Sequence, residues 1–244
     1  MEATIRPDRL REISIFAELA PETLATLASS LRLVTVRPNT NLIAVEQPGD
    51  RVYFIVSGTV KVFVDHADGS EVILAMLGPG EMVGEMSLVD NLNRSASVTT
   101  LESSTLVWMD RTTFWRQLHQ IPTLMGNMVT MLSRRLRLAN TRLQADATLD
   151  VEGRVALQLL SLAQELGEAV EHGIRIPIRL SQSDLAALVG ASRVRVNQIV
   201  VDYKRSGIID IDGRLRITLL DPEALRWQID EELLSPDRFR SERN

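Results

Sequence analysis

The spacing of apolar residues changes from a strand-like to a helix-like period near Ile121. Residues 31–110 contain short runs rich in Val, Ile, Phe and Tyr, and the longest, VYFIVSGTVKVFVD, is interrupted only at Gly58. Turn signals separate the runs at Pro38-Asn39, Pro48-Gly49-Asp50, Asp68-Gly69 and Gly78-Pro79-Gly80. Many short strands at this spacing are typical of a closed or double-sheet β-barrel. Residues 8–30 precede them and are predicted to form short helices, the second beginning at Pro21.

Beyond Ile121 the apolar residues follow a heptad. The first stripe consists of Met125, Val129, Leu132, Leu136, Ala139 and Leu143. A second stripe on the same helix consists of Leu124, Met128, Met131 and Leu138. We expect one stripe to pack on the barrel and the first to pack on a second copy of the helix, which predicts a homodimer. The sequence leaves open the alternative of a single helix that is buried on two sides of its own domain.

The segment SQSDLAALVGASRVRVNQIVVDYKRSG has the caps and the turn of a helix-turn-helix. Ser181 and Ser192 are predicted to cap its two helices, and Gly190 lies where the turn needs a positive φ. The second helix is expected to bury Val196, Ile199, Val200 and Tyr203. Its opposite face and flanks carry Arg193, Val194, Arg195, Asn197, Gln198, Val201 and Arg205. Early residues of such a helix contact base edges in the major groove.

A β-hairpin and a basic charge balance accompany this segment. Two alternating runs flank Asp212-Gly213, which predicts a two-residue hairpin turn and hence a wing whose Arg214 and Arg216 contact phosphate. Residues 173–220 contain eight Lys or Arg and four Asp, a net charge of +4, although the whole chain carries −5. A basic module on an acidic body is the charge distribution expected of a DNA-binding protein. The alternative is an ordinary helical hairpin with a solvated basic face.

The remaining capping and turn residues predict the domain boundaries. Asp150 is predicted to cap a helix that runs to Leu166, so that the boundary lies at Asp146–Asp150. An acidic loop is expected at Gly167–Gly173. Asp221 and Pro222 are predicted to begin a short docked helix with Leu225, Ile229 and Leu233 on one side. The predicted parts are an effector domain at 1–120, a dimerisation helix and hinge at 121–149, a DNA-binding domain at 150–220 and an extension at 221–244.

A candidate anion site lies in the stretch GEMVGEMSLVDNLNRSASV. The turn at Gly84 can expose backbone N–H groups, and Arg94 and Ser95 can bind a phosphate. A carboxylate at Glu85 would be repelled by that anion unless it accepts hydrogen bonds from sugar hydroxyls. The alternative, from spacing alone, is a surface ion pair between Glu85 and Arg94 across a hairpin.

These motifs together resemble one family. The residues G-E-M-S-L…N-R-S-A are similar to the phosphate-binding cassette of cyclic-nucleotide-binding domains. The runs YFIVSGTVKVFV, RRLRLANTRLQADATLDVEGRVALQLLSLA and LVGASRVRVNQIVVDYKRSGIIDI resemble the strands, the dimer helix with its hinge, and the recognition helix with its wing in the Crp/Fnr family. The resemblance implies an α+β fold: a β jelly-roll effector domain, a long dimerisation helix and a winged helix-turn-helix domain.

The resemblance also implies site residues. Glu85 would accept from the ribose 2′-hydroxyl, Arg94 and Ser95 would hold the cyclic phosphate, and Gly84 and Ala96 would give backbone contacts, with Met86 and Ser87 completing the cassette. The implied effector is cyclic AMP, with cyclic GMP as the other candidate. Asn140 would contact the base, but Ala139 stands where cyclic-AMP-responsive members have a hydroxyl. The implied DNA contacts are Ser181, Ser192, Arg193, Val194, Arg195, Asn197, Gln198 and Arg205.

Two of these DNA contacts depart from the family pattern. Val194 cannot accept a hydrogen bond from cytosine, and Gln198 suits adenine better than guanine. The operator should therefore differ from that of the relatives. The implied partners are double-stranded operator DNA, a second copy of the chain and RNA polymerase. The alternative function is a Crp/Fnr-type regulator that responds to a different small molecule or is active without a ligand.

Composition and missing motifs exclude several other classes. The chain contains no cysteine, which excludes disulfides and iron–sulfur clusters. His66 lies in a hairpin turn, so neither a haem nor a metal is expected. No P-loop, G-x-S-x-G or H-E-x-x-H motif occurs, so an enzyme is not expected. No apolar run is long enough to span a membrane, and the N-terminal residues have no apolar signal core, which predicts a cytoplasmic protein.

Overall fold

The computed structural model describes residues 5–65 and 71–229. The chain forms two compact units, residues 1–133 and 134–244. The division between the units lies inside a long helix, which begins at Pro122 and ends at Thr148. The predicted turn at Asp68-Gly69 and the predicted hairpin position of His66 lie outside the described residues.

The first unit combines short helices with short strands, as the spacing predicts. Its helices are α1 (Pro7–Leu10), α2 (Pro21–Ser30), α3 (Met86–Val89), α4 (Arg111–Gln120) and the first part of α5 (Pro122–Thr148). Its strands are β1 (Arg32–Val36), β2 (Asn41–Ile43), β3 (Arg51–Ser57), β4 (Val60–Asp65), β5 (Glu71–Leu77), β6 (Met82–Val83), β7 (Ser97–Thr100) and β8 (Ser104–Asp110).

The described strands of this unit form two four-stranded antiparallel sheets with the orders β1-β8-β3-β6 and β2-β7-β4-β5. Consecutive strands therefore alternate between the sheets, except for β4 and β5, which pair in the second sheet. This arrangement is that of a jelly roll, and the predicted fold class is confirmed. Side chains from both sheets form one shared core, which contains Ile43, Tyr53, Ile55, Val60, Leu77, Val83, Val98 and Leu106. This core fixes the positions of the loops that carry the cassette.

A second core lies where α2, α4 and the beginning of α5 cover a sheet. Leu124, Met128 and Met131 of α5 are buried in it, so one predicted stripe packs on the jelly roll. Met125 and Leu132 are half-buried against the same core. The remaining members of the first stripe are exposed in the single chain, and three large ones have exposed fractions of 58% (Val129), 63% (Leu136) and 69% (Leu143). The alternative of a helix buried on two sides of its own domain is therefore wrong.

The second unit has the helices and the wing of a winged helix-turn-helix. Its elements after α5 are α6 (Val151–Leu166), β9 (Glu168–Val170), β10 (Gly173–Arg175), α7 (Gln182–Val189), α8 (Arg193–Arg205), β11 (Ile209–Ile211), β12 (Ile217–Leu219) and α9 (Pro222–Arg226). The Asp150 carboxylate accepts from Gly153 N at 2.9 Å, so the predicted cap of α6 is confirmed. The alternative of a plain helical hairpin is wrong, because a sheet of order β11-β12-β10-β9 is present.

The acidic loop predicted at Gly167–Gly173 is wrong, because these residues contribute to a hairpin. Strand β9 pairs with β10, with Glu168 opposite Arg175. Strand β10 also pairs with β12 on its other side. No local pattern predicts this strand, because all three side chains of β9 are exposed and show no alternation. An edge strand of this length depends on pairing with β10, and that pairing is a tertiary contact.

The wing turn also differs from its prediction. Ile211 pairs with Ile217, and Asp212 N donates to Arg216 O at 3.1 Å, so the loop has three residues and not two. Leu215 adopts the left-handed conformation with φ 61°. A type I turn followed by a left-handed residue is the common three-residue hairpin. The Asp212 carboxylate accepts from Arg214 N and Arg216 N, which stabilises this loop in place of the Asp-Gly turn.

The C-terminal helix begins as predicted and ends early. Asp221 caps α9 by accepting from Ala224 N at 3.1 Å. The helix ends at Arg226, although Leu225 and Ile229 are both buried. Trp227 is 87% exposed. Leu233, the third residue of the predicted stripe, lies outside the described residues.

Candidate ligand cassette and nucleic-acid interface

The cassette begins at a glycine whose backbone no other residue adopts easily. Gly84 has φ 89°, in the region that side chains with a Cβ rarely occupy. A Cβ built there would lie 2.8 Å from Arg94 Nη1 and 2.8 Å from Ile43 Cδ1. Gly84 therefore lets the Arg94 guanidinium lie directly against the backbone.

Arg94 is the buried cation of the first unit's cassette, with 6% of its surface exposed. Its Nη1 donates to Gly84 O at 2.7 Å and to Ser87 Oγ at 2.9 Å, and its Nη2 donates to Arg51 O at 2.7 Å. These acceptors are neutral oxygens. The carboxylate that forms an ion pair with it, Asp50, is 3.7 Å from Nη2.

The charge of Arg94 is only partly balanced by this arrangement. Burial lowers the pKa of the Arg94 guanidinium, and the carboxylates of Asp50 and Glu85 offset part of that effect. A buried charge gains most from a counter-ion that also supplies hydrogen-bond acceptors. A phosphate has these properties, because it is anionic and carries several acceptor oxygens.

Glu85 and Ser87 are buried beside Arg94, with exposed fractions of 4% and 2%. Glu85 immediately precedes α3, and its carbonyl oxygen accepts from Leu88 N at 3.0 Å. Burial of both Glu85 and Arg94 shows that the alternative of a surface ion pair is wrong. The predicted short helix at Ser87 is present and begins one residue earlier, at Met86.

The other predicted cassette residues lie nearer the surface. Ser95 is exposed, and its hydroxyl is 3.7 Å from Met86 Sδ, while Met86 itself is 52% exposed. Ala96 is buried with 7% exposure. The structure thus brings Gly84, Glu85, Ser87 and Arg94 together, and leaves Ser95 and Met86 open to solvent.

A pocket of about 300 Å³ lies on the Arg94 side of the cassette. It is lined by Leu42, Ile43, Ala44, Gln47, Pro48, Asp50, Arg51, Tyr53 and Arg94. Its volume is at the lower end of the range for small-molecule sites. Arg94 is the cassette residue that reaches it.

Two residues that hold the cassette were missed by the sequence reasoning. Arg111 donates to Gly49 O at 3.0 Å and to Ser87 O at 2.5 Å. Trp115 Nε1 donates to Leu88 O at 2.8 Å. Both side chains lie on α4 and donate to carbonyl oxygens of α3, and Arg111 also donates to Gly49 O. No local pattern identifies them, because these partners are more than 20 residues away in sequence.

In the second unit, the caps and the turn of the helix-turn-helix are placed as predicted. Ser181 accepts from Asp184 N at 3.1 Å in a capping box, and Ser192 accepts from Arg195 N at 3.3 Å. Gly190 has φ 62° between the two helices. The predicted inner face of α8 is buried, with Val196, Ile199, Val200 and Tyr203 at 3% exposure or less.

The outer face of α8 is open to solvent. Its exposed members are Arg193, Val194, Arg195, Asn197, Gln198, Val201 and Arg205. Arg205 forms an ion pair with Asp202 on the same helix. On the wing, Arg214 is exposed, whereas Arg216 Nε donates to Pro177 O at 2.7 Å and is half-buried. The predicted phosphate contact at Arg216 therefore competes with a contact inside its own domain.

Asn140 and the heptad residues lie on α5. Asn140, Ala139, Leu136 and Leu143 are exposed on its second half.

Among residues 5–65 and 71–229, no cluster of His, Asp and Glu could hold a metal ion. No helix in the described ranges is both long and apolar enough to cross a bilayer.

Two domain families match this chain. Residues 33–120 match the cyclic nucleotide-binding domain, and residues 153–227 match the Crp-like helix-turn-helix domain. The first match contains the cassette, and the second contains α7, α8 and the wing. Both matches agree with the elements described above.

Similar proteins are named as regulators. The CRP-like cAMP-activated global transcriptional regulator of Mycobacterium tuberculosis is 36% identical over 88% of this chain and 96% of its own length. The cAMP-activated global transcriptional regulator CRP of Escherichia coli is 30% identical over 71% of this chain and 82% of its own length. FixK2 from Bradyrhizobium japonicum shares the fold, with a TM-score of 0.72 at 20% identity over 82% of this chain and 98% of that chain. This chain therefore belongs to the Crp/Fnr family of DNA-binding transcriptional regulators and carries a cyclic nucleotide-binding domain.

Proposed function

We propose that this regulator binds a palindromic operator as a homodimer and that cyclic AMP, bound once per chain in the cassette, raises its affinity for DNA. The observation that carries the proposal is the burial of Arg94 among neutral acceptors, with its nearest ion-pair partner 3.7 Å away. Relatives that are named cAMP-activated support the same effector.

The proposed ligand contacts use the cassette residues in separate roles. Arg94 and Ser95 bind the cyclic phosphate, and Glu85 accepts from the ribose 2′-hydroxyl. Gly84 and Ala96 contribute backbone contacts. Met86 and Ser87 complete the cassette, and Ser87 already orients Arg94 through its hydroxyl at 2.9 Å. A buried carboxylate beside a phosphate is stable when it accepts hydrogen bonds from hydroxyl groups, which is the role proposed for Glu85.

The proposed DNA contacts lie on the open face of α8 and at the helix caps. The residues that contact the phosphate backbone and the groove edges are Ser181, Ser192 and the cations Arg193, Arg195 and Arg205. The residues that face the bases are Val194, Asn197 and Gln198. A dimer places two such helices in successive major grooves, so the half-sites lie about one helical turn, or ~34 Å, apart. RNA polymerase is the proposed further partner of the DNA-bound dimer.

Coupling between ligand and DNA requires that the nucleotide prefers one of two arrangements. Asn140 on α5 is the proposed contact to the nucleobase, and α5 ends at Thr148, two residues before the Asp150 cap of α6. A nucleotide contact at Asn140 would favour one setting of α5 and thereby one spacing of the two recognition helices. The expected coupling is ~1–3 kcal/mol, or roughly 5–150-fold in operator affinity.

Calorimetric titration with cyclic AMP, together with operator affinity measured with and without saturating nucleotide, tests this function. The salt concentration is held fixed, because phosphate contacts make DNA affinity salt-dependent. We expect one site per chain and tighter operator binding in the presence of cyclic AMP. Tight binding of cyclic GMP with weak binding of cyclic AMP would show that Ala139 and Asn140 have changed the choice of base. Equal operator affinity with and without nucleotide would assign the chain to the ligand-independent members of its fold.

Asn140→Ala is expected to reduce the stimulation of operator binding more than it reduces affinity for cyclic AMP. Loss of one hydrogen bond is worth about 0.5–1.5 kcal/mol, so the stimulation should fall by roughly 2–12-fold. The measurement is operator affinity with and without saturating cyclic AMP in both proteins. Thr130→Ala, which changes another exposed polar residue of α5, is the control and should behave as the unchanged protein. An Asn140→Ala protein with full stimulation would remove Asn140 from the switch.

A further inference from the structure

The most exposed large apolar side chain of α8 is Val194, with 69% of its surface accessible. It is the second residue of the helix, directly after Arg193 and two residues after the Ser192 cap. The buried residues Val196, Ile199, Val200 and Tyr203 lie on the other side of the helix. At 100° per residue, Val194 points almost directly away from their mean direction.

This position gives Val194 no part in stabilising the domain. A β-branched residue has a lower helix propensity than Ala, and its side chain here packs on little of its own domain. Its exposure therefore leaves apolar surface in water without a compensating contact within the chain. The first turn of a recognition helix is also the part that reaches the base edges.

The neighbours of Val194 limit which base edge it can meet. Gln198 and Val201 follow it on the same face, 40° and 20° from it around the helix axis by the ~100° step per residue. This face carries no carboxylate, and the acidic residue of α8, Asp202, forms an ion pair with Arg205. The face therefore lacks the carboxylate that would accept a hydrogen bond from the cytosine amino group.

In the major groove, thymine is the base that presents a methyl group. An apolar side chain gains free energy when it buries such a methyl group, and it loses free energy when it covers a polar base edge without a hydrogen bond. We propose that Val194 selects a thymine at one position of each operator half-site by contact with its 5-methyl group. This inference rests on the proposed DNA-binding role of the open face of α8.

The operator position that Val194 contacts can be identified by selection from a random pool of duplex DNA. The selection uses the full-length protein with saturating cyclic AMP. The unchanged protein should enrich a sequence with thymine at the position in question. Val194→Ala should lose that preference there and keep the preferences elsewhere in the half-site. Val194→Glu should shift the same position towards cytosine, because a carboxylate accepts from the cytosine amino group. Val194 is exposed, so these substitutions leave the buried face of α8 unchanged.

Replacement of that thymine by uracil in the selected operator then removes the methyl group and nothing else. The unchanged protein should bind the uracil operator about fourfold more weakly per half-site, which is the effect of burying one methyl group. Val194→Ala should bind both operators equally. A 5-methylcytosine·guanine pair at this position should bind the unchanged protein more tightly than cytosine·guanine. Val201→Ala is the matched control, since Val201 is also apolar and 50% exposed but lies about 10 Å further along the helix. The Val201→Ala protein should retain the fourfold effect of uracil.

The outcomes separate this inference from the function on which it rests. Enrichment of a defined operator with no effect of uracil, or with the same effect in Val194→Ala, would overturn the thymine contact and leave DNA recognition intact. Failure to enrich any sequence, with or without cyclic AMP, would overturn both the proposed operator binding and the inference. A fourfold effect of uracil that disappears only in the Val194 variants would support the inference.

Discussion

Cyclic AMP is expected to bind Arg94→Ala roughly 30-fold to several-hundredfold more weakly than it binds the unchanged protein, which corresponds to a loss of ~2–4 kcal/mol. The substitution removes a guanidinium that is 6% exposed and that we place on the cyclic phosphate. Because this cation is already desolvated, its contact with an anion is stronger than a surface contact would be. Calorimetric titration of both proteins with cyclic AMP is the measurement.

Two further variants separate a direct phosphate contact from other effects of Arg94→Ala. Arg51→Ala also removes a cation beside the pocket, but this side chain is 39% exposed, forms an ion pair with Asp50 and stacks 4.7 Å from the centre of the Trp108 ring. We expect it to weaken binding severalfold at most. Arg94→Lys keeps the charge and should bind with intermediate affinity if the mutant domain stays folded, as judged by its melting temperature. Equal losses in Arg94→Ala and Arg51→Ala would replace the direct contact with a long-range effect of charge.

Leu136→Asp is expected to dissociate the dimer. Leu136 is 63% exposed in the single chain and shares a stripe with Val129 and Leu143, spaced by seven residues. A two-fold interface would bury two copies of Leu136, each worth about 2 kcal/mol, so their loss should raise the dissociation constant roughly a thousandfold. Sedimentation velocity over a range of protein concentrations measures this change. Operator affinity should fall with it, because a monomer binds one half-site.

The choice of position matters for this experiment. Leu132 belongs to the same predicted seam, but it packs against the core that contains Leu124 and Met128, so a charge there would also destabilise the first unit. Leu136 is free of that complication, since it is exposed. Thr130→Asp adds a charge to an exposed position outside the seam and should remain a dimer. A Leu136→Asp protein that sediments as a dimer would assign the interface to another surface.

The local chemistry of the chain was enough to predict the features that depend on neighbouring residues. The caps at Ser181, Ser192 and Asp150 involve partners three residues away, and the positive φ at Gly190 follows from the absence of a Cβ. The buried face of α8 follows from the helical period. Short strands and turn signals predicted a closed or double-sheet β-barrel, and the resemblance to the Crp/Fnr family implied the jelly roll.

Contacts between distant residues decided what the sequence could not. The wing turn at Asp212 has three residues because the register of β11 against β12 places Ile211 opposite Ile217, and the local Asp-Gly signal does not fix that register. Strand β9 exists through its pairing with β10. Heptad spacing predicted two stripes on α5, but only packing against the second core showed that Met125 and Leu132 of the seam are half-buried while Leu136 stays exposed.

The cassette shows the same division most clearly. The motif itself predicted an anion site at Gly84, Glu85 and Arg94, because their chemistry and spacing are local. The burial of Glu85 and Arg94, and the support of α3 by Arg111 and Trp115 from α4, depend on segments more than 20 residues apart that meet only in the folded chain. The sequence determined which groups are present. The tertiary structure decided which of them lose water, and desolvation sets the strength of a charged contact.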